Sequence, residues 1–197
     1  TGGPGTGKTT IIKAITKLYA KINSLLPKEL EDDVALLAPT GRAARRMSET
    51  TGYYASTIHS GLRISTETEE DYGAESLEED IIIVDEVSML PKEMWLRLLS
   101  HRIHVIACGD PFQLPPIDKD SDNHVLDNPH IFLDEIMRQA YDSEIIRFSM
   151  WIREGKPINE FPASGQQVMF VKPEEIVTGM YDWADQILCA TNAKRNA

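Results

Sequence analysis

GGPGTGKT, residues 2–9, decides how the rest of this chain is read, because it fits the phosphate-binding pattern G-x-x-x-x-G-K-[ST]. Glycines let the backbone curl so that successive N–H groups point inward at a polyphosphate. Gly2, Gly3, Pro4, Gly5, Thr6, Gly7, Lys8, Thr9 and Thr10 are therefore the candidate nucleotide contacts. The Lys8 ammonium is placed to reach the β- and γ-phosphates, and the Thr9 hydroxyl to ligate Mg²⁺. The residues that follow put Ile11, Ile12, Ile15, Leu18, Ile22 and Leu25 on one face at helical spacing, which predicts a helix starting at the loop. A P-loop, rather than a chance glycine-rich turn, predicts an ATP site with Mg²⁺.

Outward from the loop, strand and helix signals alternate. VALLAP (34–39) and IIIV (81–84) are apolar runs suited to buried parallel strands. Residues 41–47 read as helix, and PKEMWLRLLS (91–100) as a helix burying Met94, Trp95, Leu98 and Leu99. IHVIACGD (103–110) is a further strand. The order β-α-β-α-β after the loop is that of an α/β domain with a parallel sheet flanked by helices. Beyond Pro115–Pro116 the pattern restarts, with a helix in IIRFSMWIREG, a strand in QVMFV, a helix in PEEIVTGMYDWA and a strand in DQILCATN. That restart predicts the opening of a second α/β lobe, with a boundary between Asp127 and Phe132. Internal repeats and low-complexity tracts are not evident.

A chain of 197 residues is long enough for one complete domain and part of a second. A P-loop is normally fed by a strand, and Thr1 already belongs to the turn, so the chain is expected to be a fragment of a longer polypeptide. The isolated chain is accordingly expected to hold ATP weakly. The formal net charge of −11 argues against non-specific coating of nucleic acid. It is unevenly placed: Glu67, Glu69, Glu70, Asp71, Glu75, Glu78, Glu79 and Asp80 account for most of it, leaving −3 without them. That stretch reads as a solvated surface segment. Cys108 and Cys189, each placed in a strand, read as reduced thiols of an intracellular, cytoplasmic protein, and the five histidines lack metal-ligand spacing. No apolar run approaches membrane-spanning length.

IIIVDEVSM adds the second chemical element. Asp85 and Glu86 follow a β-branched run, which puts two carboxylates at the C-terminal edge of a strand, where α/β sheets bind ligands. Asp85 is the candidate partner of Thr9 on Mg²⁺, and Glu86 the candidate base for an attacking water. In VIACGDPFQLPP, Gln113 sits in a loop stiffened by two prolines, where an amide can sense a γ-phosphate and pass its loss to a moving segment.

Taken together, GGPGTGKT, LAPTGRAARRM, STIHS, VDEVSM, GDPFQLPP, LDEIMRQ and ILCATNAKRNA resemble, in order, helicase motifs I, Ia, Ib, II, III, IV and the TN-R element. The set is similar to superfamily 1 DNA helicases of the RecD/Dda/PIF-type branch. The resemblance implies a RecA-like P-loop NTPase fold, with lobe 1A over 1–129, a short 1B-type insertion at about 61–80, and the beginning of lobe 2A over 130–197. It implies Lys8, Glu86, Gln113 and Arg138 as catalytic, with Arg138 reaching the γ-phosphate from a cleft wall; an ion pair with Asp134 or Glu135 is the alternative for that arginine. It implies Pro39, Thr40 and Arg42 (motif Ia) and Thr57 and His59 (motif Ib) as nucleic-acid contacts. Arg45 and Arg46 read equally as a solvated face, His59 also as a structural histidine, and Tyr53 and Tyr54 as packing or solvent residues. The activity implied is ATP-driven movement, 5′ to 3′, along single-stranded DNA or at DNA junctions, alongside replication or recombination proteins. A nucleotide switch without unwinding, and a binding platform without turnover, are the competing readings.

Overall fold

The computed structural model describes residues 1–63, 77–116, 123–136 and 142–188. Two compact units are present, Thr1–Asp142 and Ser143–Ala197. In the first, α1 (Lys8–Asn23) and α2 (Pro27–Asp33) lead to β1 (Val34–Ala38), α3 (Gly41–Thr51), β2 (Ser56–Thr57) and α4 (Ile58–Gly61). After 64–76 come β3 (Ile81–Val84), a 3₁₀ turn at Val87–Met89, α5 (Lys92–Ser100) and β4 (His104–Ala107). The strands form a parallel sheet in the order β2-β1-β3-β4. The α/β fold expected from the alternating pattern is the one observed.

Because all four strands run the same way, their C-terminal ends share one edge. Leu37 is opposite Val84, Val84 opposite Ala107, and Ala38 opposite Thr57. The sheet continues past β4 at its upper end. Gly2 N–H donates to the Gly109 carbonyl at 3.2 Å, Leu133 N–H donates to the Thr1 carbonyl at 2.7 Å, and Gly2 bridges Leu133 in parallel. Thr1–Gly2 thus lies between the end of β4 and Leu133 and leads directly into the P-loop.

Strand alternation sends side chains to two cores. Leu37, Ile82 and Val84 join Ile58, Leu62, Val87, Leu90, Leu98 and Leu126 on one face. Val34, Leu36 and Ile83 join Ile12, Leu30, Met47 and Ala55 on the other. Burying a side chain such as Ile82 or Val84 contributes about 1.5–3 kcal/mol. Tyr53 packs at the edge of the second core, while Tyr54 is exposed.

Several local expectations are corrected. α1 does not bury the stripe read from spacing: Ile11, Leu18 and Ile22 are exposed, and the inward positions are Ile12 and Thr16. Thr16 tolerates complete burial because its hydroxyl donates to the Ile12 carbonyl at 2.9 Å. Leu99 of α5 is likewise exposed, while Leu98 is fully buried and Met94 and Trp95 pack partly against it. Cys108 lies one residue past β4 rather than within it.

In the second unit, the predicted first helix is α6 (Glu144–Arg153), ended by Gly155 at φ 71°. Phe148, Trp151, Phe161 and Phe170 make a small aromatic cluster, with Phe148 and Phe161 centroids 4.9 Å apart. QVMFV (167–171) is not a strand, since no described segment pairs with it and a strand exists only through a neighbour. The PEEIVTGMYDWA helix is instead a 3₁₀ turn at Pro173–Glu175 followed by α7 (Thr178–Trp183). Residues 185–188 of DQILCATN are also unpaired, and the remainder of that run, Cys189 included, lies outside the described residues. So do residues 64–76 of the insertion, with five of its eight acidic residues, and Arg138.

Candidate nucleotide and nucleic-acid site

The P-loop turns through Gly5 (φ 75°) and Gly7 (φ 85°), left-handed conformations that glycine adopts without steric cost. Gly7 then caps α1, whose first residue is Lys8. Thr6 is buried, and its hydroxyl donates to the Gly3 carbonyl at 2.8 Å, locking the curl. The Lys8 ammonium bonds the carbonyls of Gly2 (2.7 Å) and Gly3 (2.9 Å), so it is folded back onto its own loop. Thr9 stands beside it in the first turn of α1, and Thr10 is exposed.

β3 delivers the carboxylates. Asp85 N–H donates to the Leu37 carbonyl at 3.0 Å, the last ladder bond before the chain turns. Glu86 then takes a left-handed conformation, φ 54° and ψ 38°, which costs a non-glycine residue about 1–3 kcal/mol. Asp85 Oδ1 accepts the Glu86 N–H at 2.9 Å and steadies this turn. A regular strand would send the two side chains to opposite faces; the turn at Glu86 breaks that alternation. Asn123 reinforces it from outside, its amide donating to the Val87 carbonyl (2.9 Å) and the Leu90 carbonyl (2.5 Å).

Burial pushes both carboxyl groups above their ordinary range. For Asp85 the Glu86 amide, Lys8 and Arg46 act in the opposite sense. For Glu86 the charge of Asp85 adds to burial, while Lys8, a hydrogen bond with Gln113, and Arg46 oppose it. Lys8, Asp85, Glu86 and Gln113 therefore form one electrostatic cluster. The Oε2 atom of Glu86 is shut from solvent and has no hydrogen-bond partner among the described residues. A buried acceptor left unmatched is costly, and a water or ligand atom placed there satisfies it. Beside it, burial and the nearby Asp85 raise the Cys108 thiol to about 11, so it stays protonated at neutral pH.

Gln113 owes its place to β4. Asp110 is fully buried; its carbonyl accepts the Gln113 N–H at 3.0 Å and its Oδ1 the Phe112 N–H at 3.1 Å. Since β4 lies between β3 and Thr1–Gly2, this loop emerges between the carboxylate pair and the P-loop. A cavity of about 70 Å³, lined by Ser88, Gln113, His124 and Asp127 among others, adjoins it.

The five residues matched to nucleic acid lie at the other end of the edge, after β1 and β2. Thr40 Oγ1 accepts the Ala43 N–H at 3.2 Å and caps α3; Thr57 Oγ1 accepts the Ser60 N–H at 3.2 Å and caps α4. Arg42 and His59 are exposed and Pro39 is half-buried. Asn123 is not picked out by sequence, and Arg46 reads there as a solvated face or a strand contact, not as a neighbour of the carboxylates. Asn123 acts on backbone 33 and 36 residues away, a relation no local pattern carries. Arg46 was visible only as one of three arginines on a helix.

A family model described as an AAA domain matches residues 1–119. The chain belongs to the AAA domain family. Its similarity to other proteins follows the same branch as the motif resemblance. The ATP-dependent RecD2 DNA helicase of Deinococcus radiodurans is 38% identical over 172 residues, covering 85% of this chain and 22% of that protein. The RecD subunit of the RecBCD enzyme from Mycolicibacterium smegmatis is 35% identical over 140 residues, covering 60% of this chain and 25% of that one. The matched part of the chain thus spans a quarter or less of these relatives' own length. Among solved structures, Pif1 helicase from Candida albicans aligns with a TM-score of 0.56 at 25% identity, over 79% of this chain and 40% of its own. Bacteroides Pif1 bound to single-stranded DNA shares the fold, with a TM-score of 0.51 at 23% identity over 79% of this chain and 42% of that one. Among the described residues no helix is long and apolar enough to cross a membrane.

Proposed function

We propose that this AAA domain is the ATPase core of a cytoplasmic DNA helicase that couples Mg-ATP hydrolysis to movement, 5′ to 3′, along single-stranded DNA. The observation that carries the reading is the unpartnered Glu86 Oε2 set among Lys8, Asp85 and Gln113 at one sheet edge.

In this reading the P-loop amides from Gly3 to Thr9 surround the phosphates, and Lys8 leaves the Gly2 and Gly3 carbonyls for the terminal phosphates. Thr9 and Asp85 hold Mg²⁺, which when bound offsets phosphate charge. Glu86 Oε2 orients the attacking water and takes its proton. Gln113, already paired with Glu86, exchanges that partner according to whether a γ-phosphate is present, and so reports hydrolysis to its loop. Arg138 supplies a further positive charge to the transferring phosphoryl group. Pro39, Thr40, Arg42, Thr57 and His59 hold the strand through sequence-indifferent phosphate contacts. The partners are then single-stranded DNA or DNA junctions, in the company of replication or recombination proteins.

The test is ATP turnover by the full-length protein, with and without single-stranded DNA. Stimulation by DNA is expected, Lys8→Ala should abolish turnover, and Glu86→Gln should retain ATP binding while losing hydrolysis. Turnover indifferent to every nucleic acid tried would remove the motor. Unwinding of 5′-tailed but not 3′-tailed duplexes tests direction and separates a motor from a switch.

A further inference from the structure

The arginines of α3 point to different places. Arg45 pairs outward with Glu49 at 3.0 Å, both side chains largely exposed. Ser48 Oγ accepts the Ala55 N–H at 2.9 Å, so that flank of α3 faces β2. Helical geometry puts Arg46 on the opposite flank with Ala43 and Thr50, the side on which α3 can meet α1, against which it packs. Side chains on a helix lean toward its N-terminus. The N-terminus of α3, at Thr40, stands at the sheet edge where the β1 residue Leu37 receives the Asp85 N–H. Arg46 therefore leans toward the phosphate edge, and its charge is felt at both Asp85 and Glu86. Its guanidinium makes no hydrogen bond or ion pair with any described residue.

We propose that Arg46 is a nucleotide-binding residue, whose guanidinium takes the terminal phosphate of a nucleoside triphosphate seated on the P-loop. This rests on the nucleotide-site reading above and assigns the site a cation from α3 within the same unit. Without nucleotide, Arg46 and Lys8 offset the charge of the two carboxylates. With a triphosphate in place, the planar fork of arginine matches phosphoryl oxygens in a way an ammonium does not.

The experiment is competition of ATP and of ADP, each with Mg²⁺, against a fluorescent nucleotide on the full-length protein. Arg46→Ala should weaken ATP about tenfold or more, the size of a lost charge-assisted hydrogen bond, and ADP by less than about twofold. Arg46→Lys should fall between wild type and the alanine variant. Arg46 is exposed, and α3 is anchored by Ala44, Met47 and Thr51, so both variants should melt with the wild type. Equal weakening of ATP and ADP, or none, overturns the assignment. So does a fall of about 0.7 in the salt slope of single-strand binding with ATP affinity unchanged, since that places Arg46 on the strand. A wild type that binds neither nucleotide overturns the proposed function and this inference with it; a wild type that binds ATP beside an unaffected Arg46→Ala overturns this inference alone.

Discussion

Two glycines of similar appearance in the sequence do unrelated work. Gly2 has no left-handed backbone to justify it, yet a Cβ there would stand 2.6 Å from Thr6 Oγ1, 2.7 Å from the Leu133 carbonyl oxygen and 2.9 Å from Leu133 Cβ. None of these atoms is free to move. Thr6 is tied to the Gly3 carbonyl, and Leu133 is bridged to Gly2 itself. Gly2→Ala should therefore destabilise the first unit by about 1–3 kcal/mol and weaken ATP binding by displacing the loop from β4 and Leu133. At Gly41, the first residue of α3, a Cβ meets nothing within 4 Å. Gly41→Ala should stabilise the protein by about 0.4–1 kcal/mol by restricting the unfolded chain. Denaturant melts of the two variants check both statements, and similar effects from the pair would contradict the contacts described.

At the scale of elements, α6 is fastened by its own first residue. Glu144 is buried, and its carboxylate accepts the Ser164, Gln167 and Val168 N–H groups and the Ser164 hydroxyl; the Glu144 N–H in turn donates to Gln167 Oε1 at 2.7 Å. The Ser164 amide, first among these donors, helps hold the carboxyl down at about 2, against an ordinary value of 4.5. A depressed carboxylate stabilises the fold above its unfolded pKa, and that contribution is lost as pH falls toward the folded value. The second unit should thus loosen progressively between about pH 4.5 and pH 2, and Glu144→Gln should be less stable than wild type at neutral pH, with the difference closing over that interval. Melting curves across this range, followed through the Trp151 environment, decide it; a constant difference would assign the loss to packing rather than charge. Glu144 had no sequence signature, because its partners lie 20 to 24 residues ahead. The elements that were legible are those whose cause is local: the β-branched run Ile81–Val84, the P-loop leading into α1, and the Asp85–Glu86 pair closing β3. What escaped depends on partners in space. Thr16 displaces the expected apolar stripe of α1 by satisfying its own hydroxyl, and QVMFV has strand-forming residues without a neighbouring strand.

At the scale of the whole molecule, the parallel sheet separates two sets of candidate residues along one edge of the first unit. Lys8, Asp85, Glu86 and Gln113 gather where β3, β4 and Thr1–Gly2 end, and Thr40, Arg42, Thr57 and His59 where β1 and β2 end. The two groups adjoin at the end of the β1–β3 ladder, where Asp85 N–H donates to the Leu37 carbonyl. A ligand on either side that shifts β1 against β3 acts on the other, and such coupling is reciprocal by thermodynamic necessity. In the full-length protein, saturating single-stranded DNA should change ATP affinity by some factor, and saturating ATP without turnover should change strand affinity by that same factor. The Glu86→Gln variant makes the second measurement feasible. This chain carries a net charge of −11, so on the proposed reading its own share of strand binding comes from a few placed cations rather than a general field. Arg42→Ala should then lower the salt slope of strand binding by about 0.7, one phosphate contact, while ATP affinity measured without DNA stays as it was. If Arg42→Ala left the slope unchanged, or weakened ATP in the absence of DNA, the division of the edge into a nucleotide half and a strand half would not hold.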